Sequence, residues 1–461
     1  MIDSSIFKSY DIRGIYPTQI NEETIAPIID SIYQFFQDSF GKKAGLTVVL
    51  GRDMRVSSPS LFAVARDRLV KLGAHVIDIG LVSTPTFYFS VFHYHYDCGI
   101  QITASHNPKE YNGIKFVRSS PTGLIKIGKS TGMEDVKKIC ETPPTPDQTH
   151  IGGVAVKTNI VESEVDSALS FFHNPQLKKY KIVADPANAM GGTYIDAIFK
   201  KIPADLIRMN FELDGTFPAH QPDPLDYANL KDLQERVLSD KADFGLAPDG
   251  DGDRLFFIDE KGHVVPASII TALIARELID KQPGSLVLFD IRYILTPKTI
   301  IEESGGRYEI TKVGHAFITE QMGNTGAVFS GESSAHYFYK STGNAESQVM
   351  TIIAVLKALS ESGKTLSGLA EELRRSYESG EINFTAKNAP EILETLKTTY
   401  KDGKLITLDG IAISYPDWRF SVRSSNTEPL LRLNVEAKEK TVMEEKRNEL
   451  VSYIETLTKK A

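Results

Sequence analysis

Residues 46–55 read LTVVLGRDMR; a stretch with helical spacing, PSLFAVARDRLVKLGAHV (59–76), follows and runs into a second apolar segment, HVIDIG (75–80). A short apolar run, a charged turn and a helical segment make one unit of parallel α/β structure. A similar opening, an apolar strand and then a charged turn, recurs at YKIVADPANAMGG (180–192) and SLVLFDIRY (285–293), each followed by helical spacing. The repetition predicts three α/β domains of similar build. The tail differs: ITLDGIAISY (406–415) and WRFSVRSSNTEPLLRLNVEA (418–437) alternate like strands, and EEKRNELVSYIETLTKK (444–460) reads as a helix. That pattern predicts a smaller α+β module. The expected fold is α/β, with three similar mixed-sheet domains and a C-terminal α+β domain.

Breaks in composition set the expected boundaries. ETPPTPDQTHIGG (141–153) is a Pro-rich polar crossing, and an acidic loop gives way near 255–268 to VVPASIITALIARELI (264–279). SESGKTLSGLAEELRRSYESGE (360–381) bridges to the tail. The domains are therefore expected at 1–150, 151–255, 256–370 and 371–461.

The 461 residues, 41% hydrophobic and 24% charged, suffice for roughly three or four cores at about 100–200 residues per domain. A formal charge of −8 argues against nucleic acid or an anionic membrane as partner. The only cysteines, Cys98 and Cys140, fit no CxxC or Cys/His pattern and suit a reducing compartment as structural residues. MIDSSIFKSYDIRG (1–14) has no basic region followed by an apolar stretch, and VMTIIAVLKAL (349–359) is too short to span a bilayer. A cytoplasmic protein is expected.

Chemistry concentrates in loops. In APDGDGDRLFFIDEKG (247–262), Asp249, Asp251 and Asp253 alternate with glycines, so their carboxylates converge on one side of a tightly bending backbone. Three like charges so close call for a hard cation such as Mg²⁺. An EF-hand loop is excluded: its sixth position needs glycine, Arg254 stands there, and DFGLAP and RLFFID on either side read as strands. In ITASHNPKEYNGIK (102–115), Ser105 is either an ordinary turn serine or a phosphorylated one. Its neighbour His106 should point away on extended backbone, and no GxSxG elbow surrounds it, so an activated serine nucleophile is disfavoured. A phosphoserine of about −2 beside three aspartates would need cations, and Arg254 and Lys115 are at hand. FSVRSSNTEPLL (420–431) reads as a phosphate cradle or a polar hairpin turn. FSGESSAHYF (329–338) offers Glu332, Ser334 and His336 to sugar hydroxyls, and KVGHAFI (312–318) carries His315.

TASHNP, DGDGDR, GESSAH and RSSNTEP, in that order, with YDIRG (10–14) and GRDMR (51–55), resemble the α-D-phosphohexomutase superfamily, in particular its bacterial phosphomannomutase/phosphoglucomutase type, along essentially the whole chain. The resemblance implies four domains around one central cleft. It implies a phosphorylated Ser105 that also faces the metal, Asp249, Asp251 and Asp253 as ligands of one Mg²⁺ per chain, and Arg254 and Lys115 beside the reacting phosphoryl group. Glu332, Ser334 and His336 would meet the sugar, with His106 nearby. Arg423, Ser425, Asn426 and Thr427 would hold the non-reacting phosphate. Tyr10 and Arg13 match the family's N-terminal pair, His315 its glycine–histidine turn, and Arg292 a position where relatives often carry a base. GESSAH departs from the commoner GEMSGH at Ser333 and Ala335, which leaves mannose against glucose open and disfavours phosphoglucosamine mutase. The implied reaction interconverts hexose 1- and 6-phosphates through a hexose 1,6-bisphosphate, with Lys115 or His315 as base. The implied partners are small hexose phosphates, in a monomer or homodimer. A metal-dependent sugar-phosphate phosphatase and a non-catalytic binder are the rivals from other classes.

Overall fold

The computed structural model describes residues 2–42, 44–144, 151–386, 388–424 and 430–459. A seven-stranded mixed sheet runs in the order Ile12–Ile15, Tyr111–Ser120, Cys98–Ile102, Thr47–Arg52, His75–Leu81, Gly153–Val156, with Gly123–Lys126 hydrogen-bonded to Tyr111–Ser120. The strand read first from the sequence, Thr47–Arg52, lies inside it, parallel to both neighbours. A five-stranded sheet orders Val264–Val265, Leu255–Asp259, Phe244–Pro248, Tyr180–Ala184, Ala204–Arg208; a second orders Arg307–Thr311, Leu286–Asp290, Phe329–Gly331, Tyr337–Tyr339, Ala345–Glu346. The six-stranded C-terminal sheet is antiparallel and carries the helices Ala389–Thr399 and Lys440–Lys459. Three α/β units and a smaller α+β unit are therefore present.

Two expected boundaries shift. Leu255–Asp259 and Val264–Val265 complete the second sheet, because the acidic loop is the turn of an antiparallel hairpin whose return strand cannot leave the sheet. Gly153–Val156, expected at the start of the second domain, pairs parallel with His75–Leu81 as an edge of the first sheet.

One topological detail positions the serine, the aspartates and the sugar-side residues. In each α/β sheet a parallel strand ends, a loop follows, and the chain returns antiparallel. The loop after Cys98–Ile102 holds Ser105, that after Phe244–Pro248 holds the aspartates, and that after Phe329–Gly331 holds Glu332, Ser334 and His336. Such loops lie at the carboxyl ends of parallel strands, where α/β sheets bind ligands.

The second and third sheets share one apolar core with the helices Ala267–Lys281 and Gln348–Ser362, while the first and fourth units have cores of their own. Among the described residues no helix is long and apolar enough to cross a membrane.

Candidate active site

The serine loop is a strained turn held from behind. Ser105 has φ +52°, in the left-handed region that non-glycine residues adopt at a cost, and its N–H donates to Thr103 Oγ1 at 3.0 Å. The fully buried Arg55 clasps it: Nη2 donates to the carbonyls of Ser105 (2.7 Å) and Asn107 (2.6 Å), and Nη1 to those of Pro108 (2.7 Å) and Tyr111 (3.0 Å). The positive φ also corrects the expectation that Ser105 and His106 point apart. That expectation assumed extended backbone; here His106 Nδ1 lies 3.3 Å from Ser105 Oγ. Burial, and then the nearby Arg254, hold the His106 imidazole well below its usual pKa.

The acidic loop meets this serine. Ser105 Oγ donates to Asp249 Oδ2 at 3.3 Å, and a Cβ added to Gly250 would sit 2.4 Å from the Ser105 carbonyl oxygen, so only glycine allows the two loops to approach so closely. Asp249, Asp251 and Asp253 are all buried, with ligand atoms within 4.8 Å of one another. Two helix N-termini flank them. The helix Thr84–His93, capped by Ser83, gives its Thr84 N–H to the Asp251 carbonyl at 2.9 Å and its Thr84 Oγ1 to Asp251 Oδ2 at 2.6 Å. The helix Gln348–Ser362, capped by Ser347, gives Gln348 Nε2 to the Asp253 carbonyl at 2.5 Å. The positive ends of both dipoles thus face the acidic loop.

Lys115 Nζ bridges Asp251 Oδ2 (2.7 Å) and Asp253 Oδ2 (2.6 Å). Burial works against its charge, but those two aspartates outweigh burial and hold its pKa well above the usual lysine value. Burial together with the neighbouring Asp253 and Asp251 pushes Asp249 up, whereas Lys115 and His336 overcome burial and hold Asp253 well down. Oδ1 of Asp251 is buried without a hydrogen-bond partner, and Oδ1 of Asp253 is met by His336 Nε2 at 3.2 Å. An all-carboxylate set with an orphaned buried oxygen fits a hard divalent cation.

The sugar-side loops close the ring. His336 lies with Nε2 3.2 Å from Asp253 Oδ1 and Nδ1 2.8 Å from Glu332 Oε2, and these carboxylates overcome burial and raise its pKa to about 9. Glu332 Oε1 accepts the Gly314 N–H at 2.9 Å, next to His315. Burial, then Lys126, keeps the His315 imidazole well below its usual pKa, and its Nδ1 has no hydrogen-bond partner. The Tyr10 ring lies 5.2 Å from that of His315. Arg292 is held by Asp290 (2.9 Å) and reaches Ser334 Oγ at 3.3 Å. Arg13 pairs with Asp11 at 2.7 Å and hydrogen-bonds the Asn107 side chain. Arg254 sits 3.6 Å from Asp223. Arg423 reaches in from the C-terminal unit; Ser425, Asn426 and Thr427 lie outside the described residues.

Tyr10, Arg13, Ser105, His106, Lys115, Asp253, Arg254, Arg292, His315, Glu332, Ser334, His336 and Arg423 all line one cleft of about 1260 Å³. Asp249 and Asp251 lie behind its wall, in contact with Ser105 and Lys115. Sequence reading missed the clasp by Arg55, although GRDMR had been singled out as a motif. It also missed Glu381 and Arg432 on the far wall, which carry no local pattern. Arg419 and Glu436, both fully buried, were missed too: Arg419 donates to the carbonyls of Arg292 (2.6 Å) and Ile291 (2.8 Å), and Glu436 accepts the N–H groups of Ile294 and Leu295 (2.9 Å each). This pair ties the C-terminal unit to the loop that bears Arg292.

Comparison with known proteins agrees with this arrangement. Four domain families match in order: phosphoglucomutase/phosphomannomutase alpha/beta/alpha domain I at residues 4–138, domain II at 163–262, domain III at 266–377, and the C-terminal domain at 355–452. A phosphomannomutase of Vibrio cholerae is 35% identical over 467 residues, covering 99% of this chain and 100% of that protein. One of Methanocaldococcus jannaschii is 36% identical over 465 residues, covering 99% and 98%. The crystal structure of a phosphoglucomutase/phosphomannomutase family protein from Burkholderia thailandensis superposes with a TM-score of 0.86 at 27% identity, covering 99% of this chain and 98% of that one.

Proposed function

The chain belongs to the phosphoglucomutase/phosphomannomutase family, and from that premise we propose that it interconverts the 1- and 6-phosphates of a hexose, mannose first, by phosphoryl transfer through Ser105. The observation that carries the reading is the meeting of loops from three sheets in one cleft, with Asp249 3.3 Å from Ser105 Oγ, Lys115 between the other two aspartates and His336 3.2 Å from Asp253.

Phospho-Ser105 gives its phosphoryl group to the free hydroxyl of a hexose monophosphate. The O–P bond to serine breaks as the O–P bond to the sugar forms, and the hydroxyl proton leaves. The hexose 1,6-bisphosphate turns around in the cleft and returns its other phosphate to Ser105. The loose transition state demands placement and charge stabilisation more than covalent chemistry. Asp249, Asp251 and Asp253 would hold one Mg²⁺, which when bound neutralises charge on the phosphoryl oxygens. Arg254 and Lys115 bring fixed cations to the same place. Glu332, Ser334 and His336 orient the hydroxyls, and Arg423, Arg292 and the loop of Ser425, Asn426 and Thr427 hold the phosphate that is not reacting. Of the two candidate proton acceptors, Lys115 carries its proton between two carboxylates, whereas the neutral His315 has a free ring nitrogen at the cleft wall. The reading also carries a cytoplasmic monomer or homodimer, in keeping with the two buried free thiols.

The test is incubation with Mg²⁺, a trace of bisphosphate and either mannose 1-phosphate or glucose 1-phosphate. The 6-phosphates should appear, with the higher kcat/KM for mannose. Release of inorganic phosphate without isomerisation would establish a phosphatase instead, and no product at all a binder.

A further inference from the structure

Between the strand Ala204–Arg208 and the helix Lys231–Asp240 the second unit sends a loop across to the serine turn, and the transfer chemistry makes no use of it. Gly215 lies against the backbone of the first unit: a Cβ added there would sit 2.6 Å from Arg55 Cα. Phe217, buried at φ +52°, joins Met54, Ala189 and Met190 in a small apolar cluster between the two units, its ring centroid 5.2 Å from Arg55 Cζ. Arg55 takes the carbonyls of Ser105, Asn107 and Pro108 and skips that of His106; Gln221 Nε2 donates to it at 2.5 Å. Next in the chain, Pro222 Cγ lies 3.3 Å from where a Cβ on Gly250 would stand, and Asp223 is 3.6 Å from Arg254. Three successive residues thus meet the serine turn, the acidic loop and its arginine.

His220 fastens this loop. Its Nε2 lies 3.2 Å from Asp185 Oδ2 and its Nδ1 3.0 Å from the Gln221 carbonyl. Asp185 is itself fixed, with Oδ1 accepting the Ala187 N–H (2.9 Å) and Asn210 Nδ2 (3.0 Å). A carboxylate and a carbonyl both accept, so only the doubly protonated imidazolium donates to both; a neutral ring leaves one nitrogen facing an acceptor. The ionisable groups that act on the ring, Asp185 after the strand Tyr180–Ala184 and Asp232 on the helix Lys231–Asp240, are both acids. The hydrogen bond to Asp185, helped by the Gln221 carbonyl and the charge of Asp232, outweighs burial and raises the His220 pKa above its usual 6.5.

We propose that residues 215–223 are a strap by which the second unit holds the serine turn against its own acidic loop, that Gln221 and His220 are positioning residues for the transfer, and that the strap is tight while His220 is an imidazolium. This rests on the reaction proposed above. Neither side chain touches the reacting atoms. Gln221 holds the carbonyl that the first unit leaves open, so the serine turn is gripped from both units and the separation of Ser105 from Asp249 is set across their junction. When His220 gives up a proton, one of its two hydrogen bonds goes, and the residue that holds His106 loosens. Because the pKa is raised in the folded chain, the latch is complete below about pH 6.5 and is lost as pH climbs through the raised value.

The test uses the full-length chain and two variants. Hydrogen exchange of the segment 103–111, read by mass spectrometry and corrected for the intrinsic pH dependence of exchange, reports the grip without any turnover. Gln221→Ala leaves the His106 carbonyl unmet, so this segment should exchange about tenfold faster. The kcat with mannose 1-phosphate should fall by a similar factor while KM stays within about twofold, since the residues that meet the sugar are untouched. His220→Gln carries an uncharged donor at every pH. From about pH 6 to about pH 8.5 the protection of 103–111 should therefore fall in the wild type and stay flat in H220Q, and the wild-type to H220Q ratio of kcat should fall with it. A merely structural role would lower the melting temperatures and leave that ratio level. Wild-type exchange at 103–111 in Q221A overturns the strap, an unchanged kcat in Q221A overturns its part in positioning, and a level wild-type to H220Q ratio overturns the latch. Isomerisation is scored separately: a wild-type chain that converts no hexose phosphate, with the exchange differences as described, rejects the mutase reading and leaves the strap standing.

Discussion

Replacing Arg55 by lysine isolates what holds the serine loop. The guanidinium feeds four carbonyl oxygens, those of Ser105, Asn107, Pro108 and Tyr111, from two separate nitrogens at 2.6–3.0 Å, and no part of it reaches solvent. A lysine places its donors on a single nitrogen and cannot span both carbonyl pairs. Two carbonyls left without a donor cost about 1–3 kcal/mol each, so the loop loses about 4 kcal/mol of support. Ser105 needs that support, since its φ of +52° itself costs roughly 1–3 kcal/mol and persists only while the surroundings enforce it. The loop should therefore relax, carrying Oγ away from Asp249. A displacement of about 1 Å at a reacting atom is worth about 100-fold in rate. Steady-state assay of R55K with mannose 1-phosphate should show kcat/KM down by about that factor, with the loss mostly in kcat, because Glu332, Ser334 and Arg423 are untouched. Thermal melting of the first unit should drop by several degrees, at roughly 2–4 °C per kcal/mol. An R55K enzyme within about threefold of wild type in kcat/KM, melting at the same temperature, would refute the clasp.

Other perturbations follow from the same structure. Asp251→Asn should abolish the rise in melting temperature that Mg²⁺ gives the wild-type chain, and with it turnover; a variant still stabilised by Mg²⁺ to the wild-type extent would remove Asp251 from the cation site. Glu164 is buried, hydrogen-bonded by Thr86 (2.7 Å) and Ser347 (3.3 Å), and burial raises its pKa to about 7. The raised value means that its stabilising contribution is full below about pH 4.5 and is lost as pH climbs to about 7, by up to about 3 kcal/mol. Melting scans from pH 5 to 8 should accordingly show the wild type losing ground to Glu164→Gln, and parallel curves would contradict this. Arg419→Met should remove the cation 3.5 Å from the buried Glu436 carboxylate and the donors to the Ile291 and Arg292 carbonyls, two carbonyls left unmet at about 1–3 kcal/mol each, and loosen the loop that bears Arg292, raising KM for hexose phosphates more than it lowers kcat. A KM unchanged in R419M would show that the C-terminal unit does not position Arg292.

The acidic triplet, the serine loop and the alternation of strand and helix were legible in the sequence because each is a local pattern: spacing, turn chemistry and periodicity act within about ten residues. The reading of Ser105 and His106 as pointing apart failed for a local reason too, since one positive φ reverses a side chain and no residue type announces it at a serine. The placement of the second boundary failed because a hairpin turn and a domain edge have the same composition, and only strand pairing distinguishes them.

By itself, then, the sequence determined which side chains were available and what each loop was chemically fit to do. Tertiary structure alone decided which of them meet. Arg55 and the carbonyls it serves are about fifty residues apart, Lys115 and its aspartates well over a hundred, and Glu381 faces an arginine from another sheet. Such contacts are set by how sheets stack and how domains dock, and Coulomb and hydrogen-bond energies that fall off within a few ångströms leave no trace in the linear order of the chain.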